Sequence, residues 1–172
     1  MTLLLASVLM LAGCSLIKDA AEVTITTDLT TTIPVVVTGA KSVDIEPISI
    51  AFSQSQDLEL AENEDIEPYL EKIREIHMKS LVVTVNGLTS GQSIGTIALD
   101  VTGVGNICTQ MNITSTGNSF TPSIATGILE QVGAKLKSDR KITFTVHGDA
   151  SGPMAFTVNL VFDTDIVAGA LD

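Results

Sequence analysis

The chain has 172 residues, enough for one domain with a real core, and carries 20 acidic against 9 basic side chains, a formal net charge of -11. Such a field repels nucleic-acid phosphates and anionic lipid headgroups, which argues against polyanion binding through this surface. Aromatics are few (five Phe, one Tyr, no Trp), whereas β-branched Val, Ile and Thr abound, a composition that suits pleated, half-buried surfaces.

Residues 3–13, LLLASVLMLAG, carry no charge. Eleven residues are too few to cross a bilayer, which takes about 20. They match the apolar core of a secretory signal, about 7 to 15 residues. The run ends in LAGC, Leu11 to Cys14. This ending resembles the lipobox of bacterial lipoproteins. The resemblance covers the leader alone and implies a definite chemistry. The Cys14 thiol receives a diacylglycerol, the leader is cut before Cys14, and Cys14 becomes the mature N-terminus. Several acyl chains then anchor firmly, because each buried CH₂ adds about 0.8 kcal/mol. Ser15, where the family uses Asp for inner-membrane retention, implies onward export to the outer membrane of a bacterial cell envelope. The start, Met1-Thr2, departs from the pattern by lacking Lys or Arg. The chain therefore divides into a signal peptide at 1–13, a tether at 14–21 and one β-rich domain at 22–172.

Beyond the tether, strand patterns dominate. EVTITTDLTTTIPVVVTG alternates, with Val23, Ile25, Leu29 and Ile33 on one parity, and Pro34 marks it as an edge strand or one with a break. SVDIEPISIAF shifts parity around Pro47, which a bulge there would restore. In residues 64–76, Ile66, Tyr69, Leu70, Ile73 and Ile76 form one stripe at helical spacing. Asn63 or Asp65 as cap and Pro68 in the first turn complete the expectation of a helix. KSLVVTVNGL reads as a strand ending at the turn Asn86-Gly87. SIGTIALDVTG and NICTQMNITS read as a hairpin joined by GVGN. FTPSIATGILEQVGAKLKS reads as a second helix, capped by Thr121 with Pro122 following, although Gly127 and Gly133 each cost it about 1 kcal/mol. KITFTVHG and MAFTVNLVFD read as a closing antiparallel hairpin through DASG.

About seven alternating strands without a βαβ rhythm predict a mainly β protein, an antiparallel β-sandwich (immunoglobulin-like or related) with two short helices. A β-barrel with helical cover is the alternative.

Few residues offer chemistry. His147, Asp149 and Ser151 lie close in sequence, but Ser, Asp and Gly are what a tight loop needs, and triads assemble from separate elements. His77 stands at the expected helix-to-strand junction. Asp57 to Glu67 contains six carboxylates, without the glycine of a calcium loop. Gly103 and Gly105 lack the third glycine and the helix of a dinucleotide site. Cys108 has no Lys, Arg or His near it in sequence and reads as a free thiol. Asn112-Ile113-Thr114 is a glycosylation sequon by pattern. Cys14, as the lipidation site, is thus the one expected site residue, with no catalytic residue, metal or cofactor. The expected function is a lipid-anchored envelope protein acting in binding or structural display rather than catalysis, attached to the membrane by its lipidated N-terminus and open to an envelope protein partner. The alternative is a carrier or chaperone of an apolar ligand such as a lipid, with the second helix as a lid.

Overall fold

A computed structural model describes residues 21–39 and 49–170. Cys14 and the expected bulge at Pro47 lie outside the described residues. The elements are β1 (Glu22–Val37), β2 (Ile50–Glu59), β3 (Ile73–Asn86), β4 (Ser93–Val101), β5 (Gly105–Thr114), β6 (Ser119–Phe120), the helix α1 (Thr126–Asp139), β7 (Lys141–Ala150) and β8 (Met154–Gly169).

The strands form two antiparallel sheets of four, ordered β1-β8-β3-β6 and β2-β7-β4-β5, so the antiparallel sandwich expected from alternation is present. Consecutive strands change sheet at every step except the β4–β5 hairpin. This interleaving of eight strands is the order of a double-sheet jelly roll. The expected β7–β8 hairpin is corrected here: β7 pairs with β2 and β4, and β8 pairs with β1 and β3. Both strands bury alternate residues, and residues 151–153 arch from one sheet to the other. Across the core, Phe144 of β7 stacks on Phe162 of β8 with centroids 5.2 Å apart, and Phe52 of β2 meets Phe156 of β8 edge-on at 5.3 Å.

Pro34 sits within β1, which is unbroken from Glu22 to Val37 because β1 is an edge strand. There the missing N–H disturbs no inner ladder.

The expected helix over 64–76 is shorter and of another kind. Glu67–Lys72 forms a 3-10 helix, after a first 3-10 turn at Leu60–Glu62, and Ile73 already begins β3. Asn63 organises the entry: its Oδ1 accepts the Asp65 N–H at 3.0 Å, an Asx turn. The false helical period has a physical source. Register shifts between Ile73/Glu75 and Met78/Ser80 mark two irregularities in β3. They bring Ile73 and Ile76, then Met78 and Leu81, all buried, to one face although the members of each pair are three residues apart.

The second helix begins at Thr126, later than Thr121. Phe120 is drawn into β6 opposite Val83, and Pro122 keeps Thr121 out of helical geometry. Leu129, Val132, Gly133 and Leu136 are its buried face. The helix lies along the lower half of β3, beyond the reach of β6, with Gly133 against the Ile76 carbonyl. It thereby covers a sheet edge that would otherwise be bare. At its C-terminus Arg140 adopts φ 59° and donates its N–H to the Leu136 carbonyl at 2.9 Å.

Candidate functional site

The histidines fall on strands, not on loops or junctions. His147 projects from the outer face of β7, and its Nε2 lies 3.0 Å from Asp100 Oδ2 on β4. Asn106 Nδ2 donates to Asp100 Oδ1 at 2.9 Å, so Asp100 is held from two strands. Ser53 of β2 stands opposite His147 in register, but Asp149 and Ser151 take other partners. Gly95 leaves the space that the Asp149 carboxylate occupies, and Ser151 Oγ accepts the Ser93 N–H at 3.0 Å. The local trio of His147, Asp149 and Ser151 is therefore not assembled. Asp100, which does meet His147, is 47 residues away, a distance no local motif could bridge.

His77 lies within β3, exposed, with Nε2 2.8 Å from Glu75 Oε2. The acidic segment is distributed rather than convergent. Asp57 accepts from the Thr143 hydroxyl at 2.7 Å and faces Lys141 Nζ at 3.0 Å. The Thr143 hydroxyl first, then Lys141, hold its carboxyl below the usual range. Among the described residues no group of three or more His, Cys, Asp or Glu could hold a metal ion. Gly103 and Gly105, at φ 82° and 100°, form the β4–β5 turn and no nucleotide loop. Cys108 is a free, half-buried thiol, pushed up to about 11 by burial and, second, by the Asp100 charge. That disfavours the nucleophilic thiolate. Asn112 is exposed at φ 58° on edge strand β5.

Among the described residues, a cavity of about 10 Å³ lies between the sheets, bounded by residues such as Val83, Leu99, Cys108, Phe120 and Leu160. That is room for about one water, not for an acyl chain. The second helix, expected as a lid in the carrier alternative, packs Leu129, Val132 and Leu136 into the core.

The clearest organisation is by ends. At one end lie the start of β1, paired as Glu22 with Gly169, the start of β3, both 3-10 turns and the α1–β7 junction. The Leu60 N–H bonds the Arg140 carbonyl at 3.0 Å, tying these pieces together. Here Glu62, Glu64, Asp65, Glu67 and Glu71 are all exposed. At the other end lie the β3–β4, β5–β6 and β7–β8 connections, residues 87–92, 115–118 and 151–153, without one charged side chain. They are Gly, Ser, Thr, Asn and Gln with one Leu and one Pro. The β1–β2 connection also starts here, and its residues 40–48 lie outside the described residues while adding Lys41, Asp44 and Glu46 to the sequence. The neutral loops are internally braced: Ser151 N–H bonds the Ser93 carbonyl at 2.9 Å, Gln92 Oε1 accepts the Thr89 N–H at 2.9 Å, and Val85 N–H bonds the Asn118 carbonyl at 2.7 Å.

No family model matches the chain, and no curated protein matches it. Among solved structures it is similar to a chain described as desmodium yellow mottle tymovirus, at a TM-score of 0.35 and 10% identity, covering 86% of this chain and 91% of that one. So loose a likeness adds nothing to the strand order described above.

Proposed function

We propose that this chain is a lipid-anchored jelly roll of the bacterial cell envelope, attached through Cys14 to the outer membrane, that displays a contact surface to an envelope partner and does no catalysis. The observation that carries the reading is the opposition of the two ends. Glu22 begins β1 at the acidic end, while three uncharged, braced loops lie at the other. From Cys14 to Glu22 an extended chain reaches at most about 30 Å. A 16-residue strand such as β1 runs about 50 Å. A lipid on Cys14 would thus hold the acidic end near the bilayer and carry the neutral loops outward.

The experiment compares the full chain with Cys14→Ser in membrane fractionation and in labelling with a radioactive fatty acid. The parent chain is expected in the membrane fraction carrying label, the variant in the soluble fraction without it. A variant that stays membrane-bound, or a parent that takes no label, overturns the anchor. Cross-linking from Ser90 and Thr116 positions at the neutral end, against Glu64 at the acidic end, then reads the display surface. Equal partner yields from both ends would defeat the outward posture.

A further inference from the structure

The sandwich is sealed unequally along its sides. On one side β1 and β2 meet directly, with the Thr31 hydroxyl donating to the Asp57 carbonyl at 3.2 Å. On the opposite side, the lower half is closed by α1, whose Leu129, Val132 and Leu136 are buried. Among the described residues, the upper half is closed by β6, a strand of two residues. Its hold on β3 consists of the Val83–Phe120 and Thr84–Ser119 pairs, the Val85 N–H to Asn118 carbonyl bond at 2.7 Å, and a Thr84–Ser119 hydroxyl contact at 3.1 Å. Gly117 precedes this short strand, and residues 121–125 after it have no regular structure. Elements with so few backbone bonds open far more readily than central strands.

Beneath β6 the small cavity sits between the sheets, walled by Val83, Val158 and Leu160 from one and by Ile97, Leu99 and Cys108 from the other. Phe120 is half-buried over it, on the inward face beside Val83. The cavity is already partly open to solvent, and lifting Phe120 would widen it by about the volume of one benzyl group. The resulting slot is narrow, apolar and ends at a thiol.

We propose that β6 is a strap that opens while the rest of the jelly roll stays folded, uncovering an apolar slot between β3 and β5 that accepts a slender alkyl chain and leads to Cys108. The proposal is independent of the membrane anchor. It differs from a lid made by α1, because α1 stays in place throughout.

The test uses the full-length Cys14→Ser chain, in which Cys108 is the sole cysteine, so that its result does not depend on lipidation. Cys108 is labelled with N-octylmaleimide and with the uncharged, polar N-(2-hydroxyethyl)maleimide, each rate divided by that for free N-acetylcysteine. Local opening predicts three results. Labelling in low denaturant is independent of denaturant concentration, since little surface is exposed. Phe120→Ala speeds it about tenfold or more, whereas Leu129→Ala, which weakens the whole fold through α1, leaves the low-denaturant rate unchanged. The octyl reagent is faster than the hydroxyethyl one after normalisation. Labelling that tracks global unfolding, a Leu129→Ala effect equal to that of Phe120→Ala, or equal rates for the two reagents would each overturn the strap and slot.

Discussion

Two glycines of α1 make opposite predictions for the same substitution. At Gly133 a built Cβ meets the Ile76 carbonyl oxygen at a distance real Cβ atoms do not show, and that oxygen is backbone that cannot rotate away. At Gly127 nothing lies within 4 Å. Gly133→Ala must push the helix off the edge of β3. A gap of about 1 Å forfeits a quarter to a half of each dispersion contact it opens, and Leu129, Val132 and Leu136 all sit on that face. Overpacking of this kind costs about 3 kcal/mol. Alanine returns about 1 kcal/mol through helix propensity. The net loss is about 2 kcal/mol, or about 4 to 8 °C in Tm for a domain of this size. Gly127→Ala in the first turn gains about 0.5 kcal/mol, mostly by restricting the unfolded chain. Thermal unfolding followed by circular dichroism, with urea titration at fixed temperature, separates the two. If Gly133→Ala is neutral or stabilising, the contact between α1 and the β3 edge is not as described.

Other outcomes follow from single sites. Arg140 holds a left-handed conformation at the helix end, and its Nη1 is buried without a hydrogen-bond partner. Arg140→Gly is expected to stabilise by about 1 kcal/mol through relief of that backbone conformation, read from the urea midpoint; a loss instead would mean the Arg140 stem packs more than its termination costs. Asp57, Asp139 and Asp165 are held below the ordinary carboxyl value, first by Thr143, Lys135 and Thr26 respectively. Because their folded values are depressed, the stability they add is present above about pH 4 and fades as pH falls through the folded values. Thr143→Val should move the Asp57 carboxyl upward in an NMR titration, and an unmoved Asp57 would refute the hydroxyl's role. Cys108 runs the other way: its thiol rises from 9.0 to about 11, so its contribution is full below pH 9 and disappears as pH climbs through about 11. Thiolate absorbance in the Cys14→Ser chain should therefore titrate near 11, and a midpoint at 9 or below would contradict the burial.

Some of this was legible along the chain because period two is a local property. Val23, Ile25, Leu29 and Ile33 alternate in β1, and Met154 to Phe162 alternate in β8, whatever their neighbours do. The β4–β5 hairpin was equally visible, since both strands and the turn lie within about twenty residues. Where the reading failed, the cause was a partner or an irregularity elsewhere. The irregularity between Ile73 and Glu75 in β3 brings Ile73 and Ile76 to one face and so extends an apparent helical stripe, and Phe120 leaves the expected helix because β3 offers it a pairing place. The His147–Asp100 contact joins strands that only the fold brings side by side.

The amino-acid sequence by itself determined the acidic balance, the β character and the inward parity of most strands. Each rests on composition or on spacing between near neighbours. Tertiary structure alone decided which strands share a sheet, that residues 151–153 arch across the core rather than closing a hairpin, and that the exposed acids of residues 62–71 lie at the end where β1 begins. Alternation states that a face is buried but not which face lies opposite, and that choice is made by pairings such as β1 with β8, more than a hundred residues apart.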